Sequence, residues 1–251
     1  MPRIMTYNVH RCVGVDRKLD VERIAAVIAD SEPDIVCLQE LDVGRARTQG
    51  VDQAHAIAKR LEMTFHFHPA MRVEEELYGD AVLTHLPERL VHAASLPGIT
   101  GVPGNEPRGA LWVEVDVGGL QLQVLNTHLG LVPREQRLQA AALVGREWLG
   151  HPDCRDPVML VGDFNATSVT RPYARVASRL RDAQKTPAVP RTVPTFPSGF
   201  PVLRIDHCFI SPSVRITGVQ APFSPLARMA SDHLPLVIDF ELDQSGAASP
   251  G

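Results

Sequence analysis

The chain has 251 residues, 44% of them hydrophobic, enough to bury a substantial core in one large domain or two small ones. A formal net charge of −4 argues against a protein that holds long nucleic acid mainly by neutralising phosphates, while leaving room for a local basic cleft. Cys12, Cys37, Cys154 and Cys208 lie far apart with no C-x-x-C pair, so they point to neither a zinc site nor a disulfide framework and read as small, mostly buried hydrophobes.

The opening MPRIMTYNVH turns straight into a strand-like run without the charged and apolar regions of an export signal. No apolar window approaches the roughly 18 residues that span a bilayer. The expectation is a soluble, cytoplasmic protein with no stable membrane insertion. Short apolar, β-branched runs then recur along the chain: RIMTYNV, DIVCLQE, DAVLTH, ALWVEVDV, LQLQVLNTHL, PVMLVGDFN, LRIDHCFI and LPLVIDFEL. These are too many strands for a TIM barrel of this length. Between some of them the period changes to that of a helix. Asp20 to Ser31 carries apolar residues at Val21, Ile24, Ala25, Val27 and Ile28 behind a capping Asp20; Asp52 to Leu61 repeats the pattern through Ala54, Ile57 and Ala58. A third helix is expected from Pro133, suited to a first helical position, to Leu149, with Gly150 as its stop. ALWVEVDV and LQLQVLNTHL, joined by Gly118-Gly119, read as a β-hairpin.

From Lys185 to Pro201 five prolines, at 187, 190, 194, 197 and 201, predict an extended surface loop. It is either a connector or, because it leads into Arg204-Ile205-Asp206-His207, one wall of a cleft. Nothing interrupts the middle of the chain, so residues 1–242 are expected to form a single domain and residues 243–251, DQSGAASPG, a disordered tail.

Polar residues fall at particular places in this pattern. Asn8, Glu40, His128, Asp163 with Asn165, and Asp206 sit in or at the ends of strand-like runs, and Asp232 with His233 immediately precedes another. Strand ends converge on one rim, where a rigid scaffold can present a site. A solvated or capping role explains each residue alone. Burying them together without a ligand would cost about 1–3 kcal/mol for each unsatisfied group, and more for a charged one. Acids, amides and histidines in this mixture suit a hard divalent cation and a phosphate. Asp163 and Asn165, two residues apart on an extended segment, should project to the same side.

The strings TYNVH, LQE, NTHL, GDFN, RIDH and SDHLP, in this order between residues 6 and 235, resemble the endonuclease/exonuclease/phosphatase superfamily related to DNase I, and NVHRCVGVD resembles a small bacterial phosphodiesterase-like subgroup. The resemblance implies an α/β fold, a four-layer sandwich of two packed, mixed β-sheets flanked by helices, and metal-dependent attack of water on phosphorus. It further implies that Glu40 is the principal ligand of Mg²⁺ or Mn²⁺ with Asn8 near the same ion, and that Asp163 orients or deprotonates the water. Asn165 would hold a phosphate oxygen or the metal. Asp206 and His233 resemble the family's Asp–His pair, Asp232 a further metal or histidine-orienting carboxylate, and His128 the second histidine at the phosphate.

Around these, Arg108, Tyr78 and Arg11 are candidate substrate-binding residues, whereas Arg45 and Arg47 are expected to be solvated surface arginines. Relatives often carry Asn where this chain has Asp80 and a basic residue where it has His85, so substrate preference does not transfer directly. The leading expectation is a phosphodiesterase acting on a small or lipid-derived diester. A Mg-dependent endo- or exonuclease on DNA or RNA is the alternative, and a sugar or inositol monophosphatase or a catalytically silent binding module ranks below both. Only 5% aromatic residues favours this order, since single-strand binders use stacking platforms. The sequence leaves the oligomeric state open.

Overall fold

In the computed structural model, which describes residues 1–73, 76–99 and 106–243, the chain runs β1 (Arg3–Asn8), α1 (Val21–Ala29), β2 (Ile35–Val43), α2 (Gln53–Leu61), β3 (Thr64–Val73), β4 (Glu76–Thr84), β5 (Glu88–Ser95), β6 (Gly109–Val117), β7 (Leu120–His128), α3 (Pro133–Leu143), β8 (Val158–Asp163), α4 (Arg171–Ala177), β9 (Arg181–Asp182), β10 (Asp206–Ile210), β11 (Val214–Gln220), α5 (Pro225–Ala230) and β12 (Leu236–Leu242). Two six-stranded sheets result, ordered β11-β12-β1-β2-β4-β3 and β5-β6-β7-β8-β10-β9. Each has one parallel pair at its centre, β1 with β2 and β7 with β8, flanked by antiparallel strands.

Both faces of the central strands are buried, which is why their sequences read as continuous apolar runs. Ile4, Ile35, Cys37 and Val82 of the first sheet meet Val113, Val124, Met159 and Cys208 of the second. The alternate residues Met5, Val36 and Leu38 pack under Ile24, Ile28 and Ile57 of α1 and α2, while Leu125, Leu160 and Phe209 pack with Ala140, Leu143 and Val176 of α3 and α4. The outcome is the expected four-layer α/β sandwich. No helix among the described residues is long and apolar enough to cross a membrane.

The two sheets are also tied by buried polar groups directly beneath the strand ends. Gln39 Nε2 donates to Thr6 Oγ1 (3.0 Å) within the first sheet and to Asn126 Oδ1 (2.7 Å) of the second, and Asn126 Nδ2 donates to the carbonyls of Leu38 and Ala81, both at 2.9 Å.

Asp20 caps α1 as expected, accepting from the Arg23 amide at 2.9 Å, and Asp52 does the same for α2 through the His55 amide, also at 2.9 Å. The third helix is shorter than its sequence suggests: it stops at Leu143 instead of Leu149. There the chain doubles back, the Leu149 amide bonding the Leu143 carbonyl at 3.0 Å and Trp148 becoming fully buried. Gly150 therefore closes a turn onto Gly145 O (2.8 Å) and caps no helix. β3, β5 and β11 escape the sequence patterns. In β3 the apolar period is diluted by His66 and His68 and broken by a bulge between Pro69 and Met71. From residue 244 onward the expected tail lies outside the described residues.

Candidate active site

The C-terminal ends of both parallel pairs open on the same edge of the sandwich, and register fixes what meets there. Asp163, the last residue of β8, pairs with His128 at the end of β7 on one side and with Asp206 at the start of β10 on the other. Asn8 ends β1, and Glu40 lies in a bulge of β2 between Leu38 and Leu41. Glu40 takes φ 62°, uncommon for a residue with a side chain. Such a bulge re-aims a side chain, here toward Asn8 and out of the alternation that would bury it. Gly162 makes the β7–β8 contact possible: its φ is +143°, and a Cβ there would stand 1.8 Å from Thr127 O.

Asp163 is the hub. Its Oδ2 accepts from Asn8 Nδ2 at 3.0 Å and lies 3.5 Å from His128 Nε2 and 3.6 Å from His233 Nε2. Asn8 Nδ2 also donates to Glu40 Oε1 at 3.1 Å, so this amide stands between two carboxylates, while its oxygen accepts from the His10 amide at 3.0 Å. Asn165 reaches the site by a different route from the one expected. The strand has already ended, Asn165 has φ 47°, and its amide donates back to Asp163 Oδ1 at 2.8 Å. A tight turn, not strand alternation, brings the two side chains together.

The two histidines are in opposite electrical states. His233 Nδ1 faces Asp206 Oδ2 at 2.9 Å, and Asp206 also accepts from the Thr195 hydroxyl. Burial works against a charged His233 ring, but the carboxylates of Asp206, Asp163 and Asp232 outweigh it and hold its pKa well above the ordinary value. Asp163 is raised by burial and by Asp206, against the pull of His233. His128 is held neutral, its pKa pushed far down by burial and by the charges of Arg108 and His233. Arg108 Nη1 lies 3.1 Å from His128 Nδ1, and a guanidinium can only donate. The proton of the neutral ring therefore sits on Nε2. That nitrogen lies 3.1 Å from Asn165 Nδ2, which donates to Leu129 O at 3.0 Å. The same nitrogen lies 3.5 Å from Asp163 Oδ2, so its proton faces the carboxylate at the centre of the site.

The remaining candidates divide. Tyr78 and Arg108 are buried and hydrogen-bonded to each other, with Arg108 also 3.4 Å from Glu106, so both stand behind His128. Arg11 lies on the rim, its guanidinium 2.7 Å from His10 Nε2, whose Nδ1 is 3.7 Å from Asp232. Asp232 does not touch the His233 ring; Asp206 holds it. Arg47 is exposed as expected but also forks onto the fully buried Asp42 through two 2.7 Å bonds, whereas Arg45 is partly buried and reaches Glu76 at 3.4 Å. Of the two departures, only Asp80 belongs to the site. It is buried, accepts the Glu40 amide and is pushed up to about 7 by burial, in opposition to Arg108. His85 faces Asp34 at 3.4 Å beside the Thr84–Ile35 pair, at the far edge.

Sequence reasoning did not name Thr195, Phe196 or Ser231. The proline-rich loop is a wall of the cleft: Thr195 anchors Asp206, the Phe196 ring lies 4.8 Å from that of His233, and the Ser198 amide bonds Asp232 O at 2.7 Å. Ser231 Oγ donates to Asn8 O at 2.8 Å, joining the approach to β12 to the end of β1.

The sequence pattern of the Endonuclease/Exonuclease/phosphatase family matches residues 5–233, a span that contains every one of these groups. The chain belongs to this family. It is 27% identical over 251 residues to the uncharacterized protein YbhP of Escherichia coli (strain K12), with 96% of each chain covered. Among solved structures, the family member from Beutenbergia cavernae superposes with a TM-score of 0.76 at 26% identity, covering 98% of this chain and 73% of that one. A mannosyl-6-phosphatase of Bacteroides thetaiotaomicron gives a TM-score of 0.74 at 19% identity, covering 96% and 100%; at that distance the likeness concerns the fold. The family and its neighbours are phosphoesterase and nuclease hydrolases, and this chain carries a buried cluster of Asp163, Asp206 and His233 at the edge described above.

Proposed function

We propose that the protein is a divalent-metal-dependent phosphodiesterase that hydrolyses a small or lipid-derived diester. The observation that carries this reading is the Asp163 carboxylate set between the neutral ring of His128 and the His233 ring, 3.5 and 3.6 Å away.

The donor set fits a hard divalent cation. Among the described residues Glu40 reaches the cleft with no cationic side chain paired to it, and it meets the Asn8 amide at 3.1 Å and the neutral His128 at 4.0 Å. Asp163, Asp80 and Asp206 crowd the same space, and Oδ1 of Asp206 is buried without a hydrogen-bond partner. Asp163, Asp206 and His233 also bring ligand atoms within 4.8 Å of one another. Nδ1 of His233 is already given to Asp206, however, and a protonated ring would repel a cation, so Glu40 is the better holder, with Asn8 beside it and Asp232 on the rim. When bound, Mg²⁺ or Mn²⁺ supplies charge neutralisation at the phosphoryl oxygens and a lowered water pKa.

The chain's own residues do the rest. Asp163, fixed through both oxygens by Asn8 and Asn165, accepts a proton from the attacking water. The Nε2–H of His128 and the Asn165 amide bind one phosphoryl oxygen. Protonated His233, oriented by Asp206, stabilises the charge that grows at phosphorus. Arg108 keeps His128 in the donating tautomer, and Tyr78 holds Arg108. Arg11 lies where it can meet the outer part of a substrate.

The test is hydrolysis of bis-p-nitrophenyl phosphate beside p-nitrophenyl phosphate in Mg²⁺, Mn²⁺ or EDTA. Metal-dependent turnover of the diester in excess of the monoester supports the reading. Turnover of the monoester alone, or turnover indifferent to EDTA, overturns it.

A further inference from the structure

Large apolar side chains stand exposed on the loops that leave the catalytic edge. Leu131 follows His128 by three residues and is 70% exposed, and Val169 follows Asn165 by four and is 91% exposed. Phe200, 76% exposed, caps the cleft wall that carries Thr195 and Phe196. Water penalises such groups, and none of the proposed chemistry uses them.

Basic residues accompany each of these tips. Arg134 and Arg171 open α3 and α4 just beyond Leu131 and Val169, exposed and in no ion pair among the described residues. Arg228 reaches Gly199 O, next to Phe200, at 3.4 Å. On this edge the acid Asp16 is taken up by Arg23 at 3.0 Å. Acids stand on this edge too, Glu40, Asp80, Asp163, Asp206 and Asp232 in the cleft and Glu76 paired with Arg45, so the basic character belongs to the tips themselves, where Arg134 and Arg171 meet no acid among the described residues.

Apolar tips flanked by unpaired cations around a phosphate-binding cleft match the chemistry of one partner, the surface of an anionic phospholipid bilayer. We propose that the catalytic edge is a peripheral docking surface for such a bilayer, with Leu131, Val169 and Phe200 entering the headgroup boundary and Arg134, Arg171 and Arg228 facing lipid phosphates. This deepens the phosphodiesterase reading and takes its purpose from it, by placing a lipid diester at the mouth of the site. A nucleic acid fits less well, because only one of the three tips is aromatic and able to stack on a base.

The test is co-sedimentation of the full chain with vesicles of phosphatidylcholine alone or mixed with phosphatidylglycerol, beside a gel shift on duplex DNA. The proposal expects binding to the mixed vesicles and little to phosphatidylcholine. The variant L131S/V169S/F200S should bind at least about tenfold more weakly, and R134E/R171E should lose the preference for anionic lipid. The triple variant should keep its rate on bis-p-nitrophenyl phosphate, since none of the three side chains touches the reacting groups. Wild-type protein that ignores the vesicles, or shifts DNA in their place, overturns the proposal, as does a triple variant that still sediments normally. Binding without any diester turnover would instead sink the phosphodiesterase reading and leave the surface standing.

Discussion

His128 and Asp163 are register partners across the parallel β7–β8 pair, and their side chains end 3.5 Å apart, Nε2 to Oδ2. Backbone pairing thus sets the distance between the proposed base and the proposed phosphate donor before any side-chain contact is made. Gly162 is what allows the two strands this approach. Gly162→Ala should place a methyl group against Thr127 O and force the pair apart, with a loss of about 3 kcal/mol or more of stability. Thermal unfolding checks this. A Tm near that of the wild type would show that the strands have room to give.

Asp206 holds the proton on His233. The activity profile should have an acid limb above the ordinary carboxylate range, because Asp163 must lose a proton that burial and Asp206 make it retain. Its alkaline limb should lie well above the ordinary imidazole value near 6.5, because His233, pushed up to about 10, loses its proton only at high pH. Asp206→Asn removes the nearest anion, so the alkaline limb should move down toward neutrality and the maximal rate should fall. A profile that keeps its alkaline limb in a folded Asp206→Asn protein would contradict the assigned pair.

Glu40 sits at φ 62° in a bulge, with its carboxylate among other acids. Glu40→Gln keeps the shape and removes one charge. The concentration of Mg²⁺ giving half-maximal activity should rise at least about tenfold, in line with the loss of an anionic ligand, while thermal stability without metal stays the same or increases. A metal titration of both proteins decides it. Unchanged metal demand would move the site elsewhere among Asp163, Asp206 and Asp232.

Much of the site was legible because the motifs that carry it end in the residues that meet: NTH in His128, GD in Asp163 and SDH in His233. The four layers were legible because strands buried on both faces must be apolar throughout. What stayed hidden depends on contacts between distant segments. Gln39 and Asn126, each one or two positions from a candidate, look equally functional in sequence, yet they tie the sheets together from within. The tautomer of His128 depends on Arg108, twenty residues away in sequence. The turn at Asn165 and the left-handed backbone at Glu40 leave no signal in apolar periodicity. Arg47 is exposed as it looks, but its bond to the buried Asp42 on the outer part of β2 has no mark in the sequence.

The most direct measurement is kcat/KM for bis-p-nitrophenyl phosphate in wild type and Asp163→Asn, with circular dichroism confirming that both are folded. The replacement keeps the acceptor near Asn8 but removes the proton acceptor, so the rate should fall by about a thousandfold, within the range expected for loss of a general base. A folded Asp163→Asn protein that works within a few fold of wild type would contradict the central claim that Asp163 activates the water.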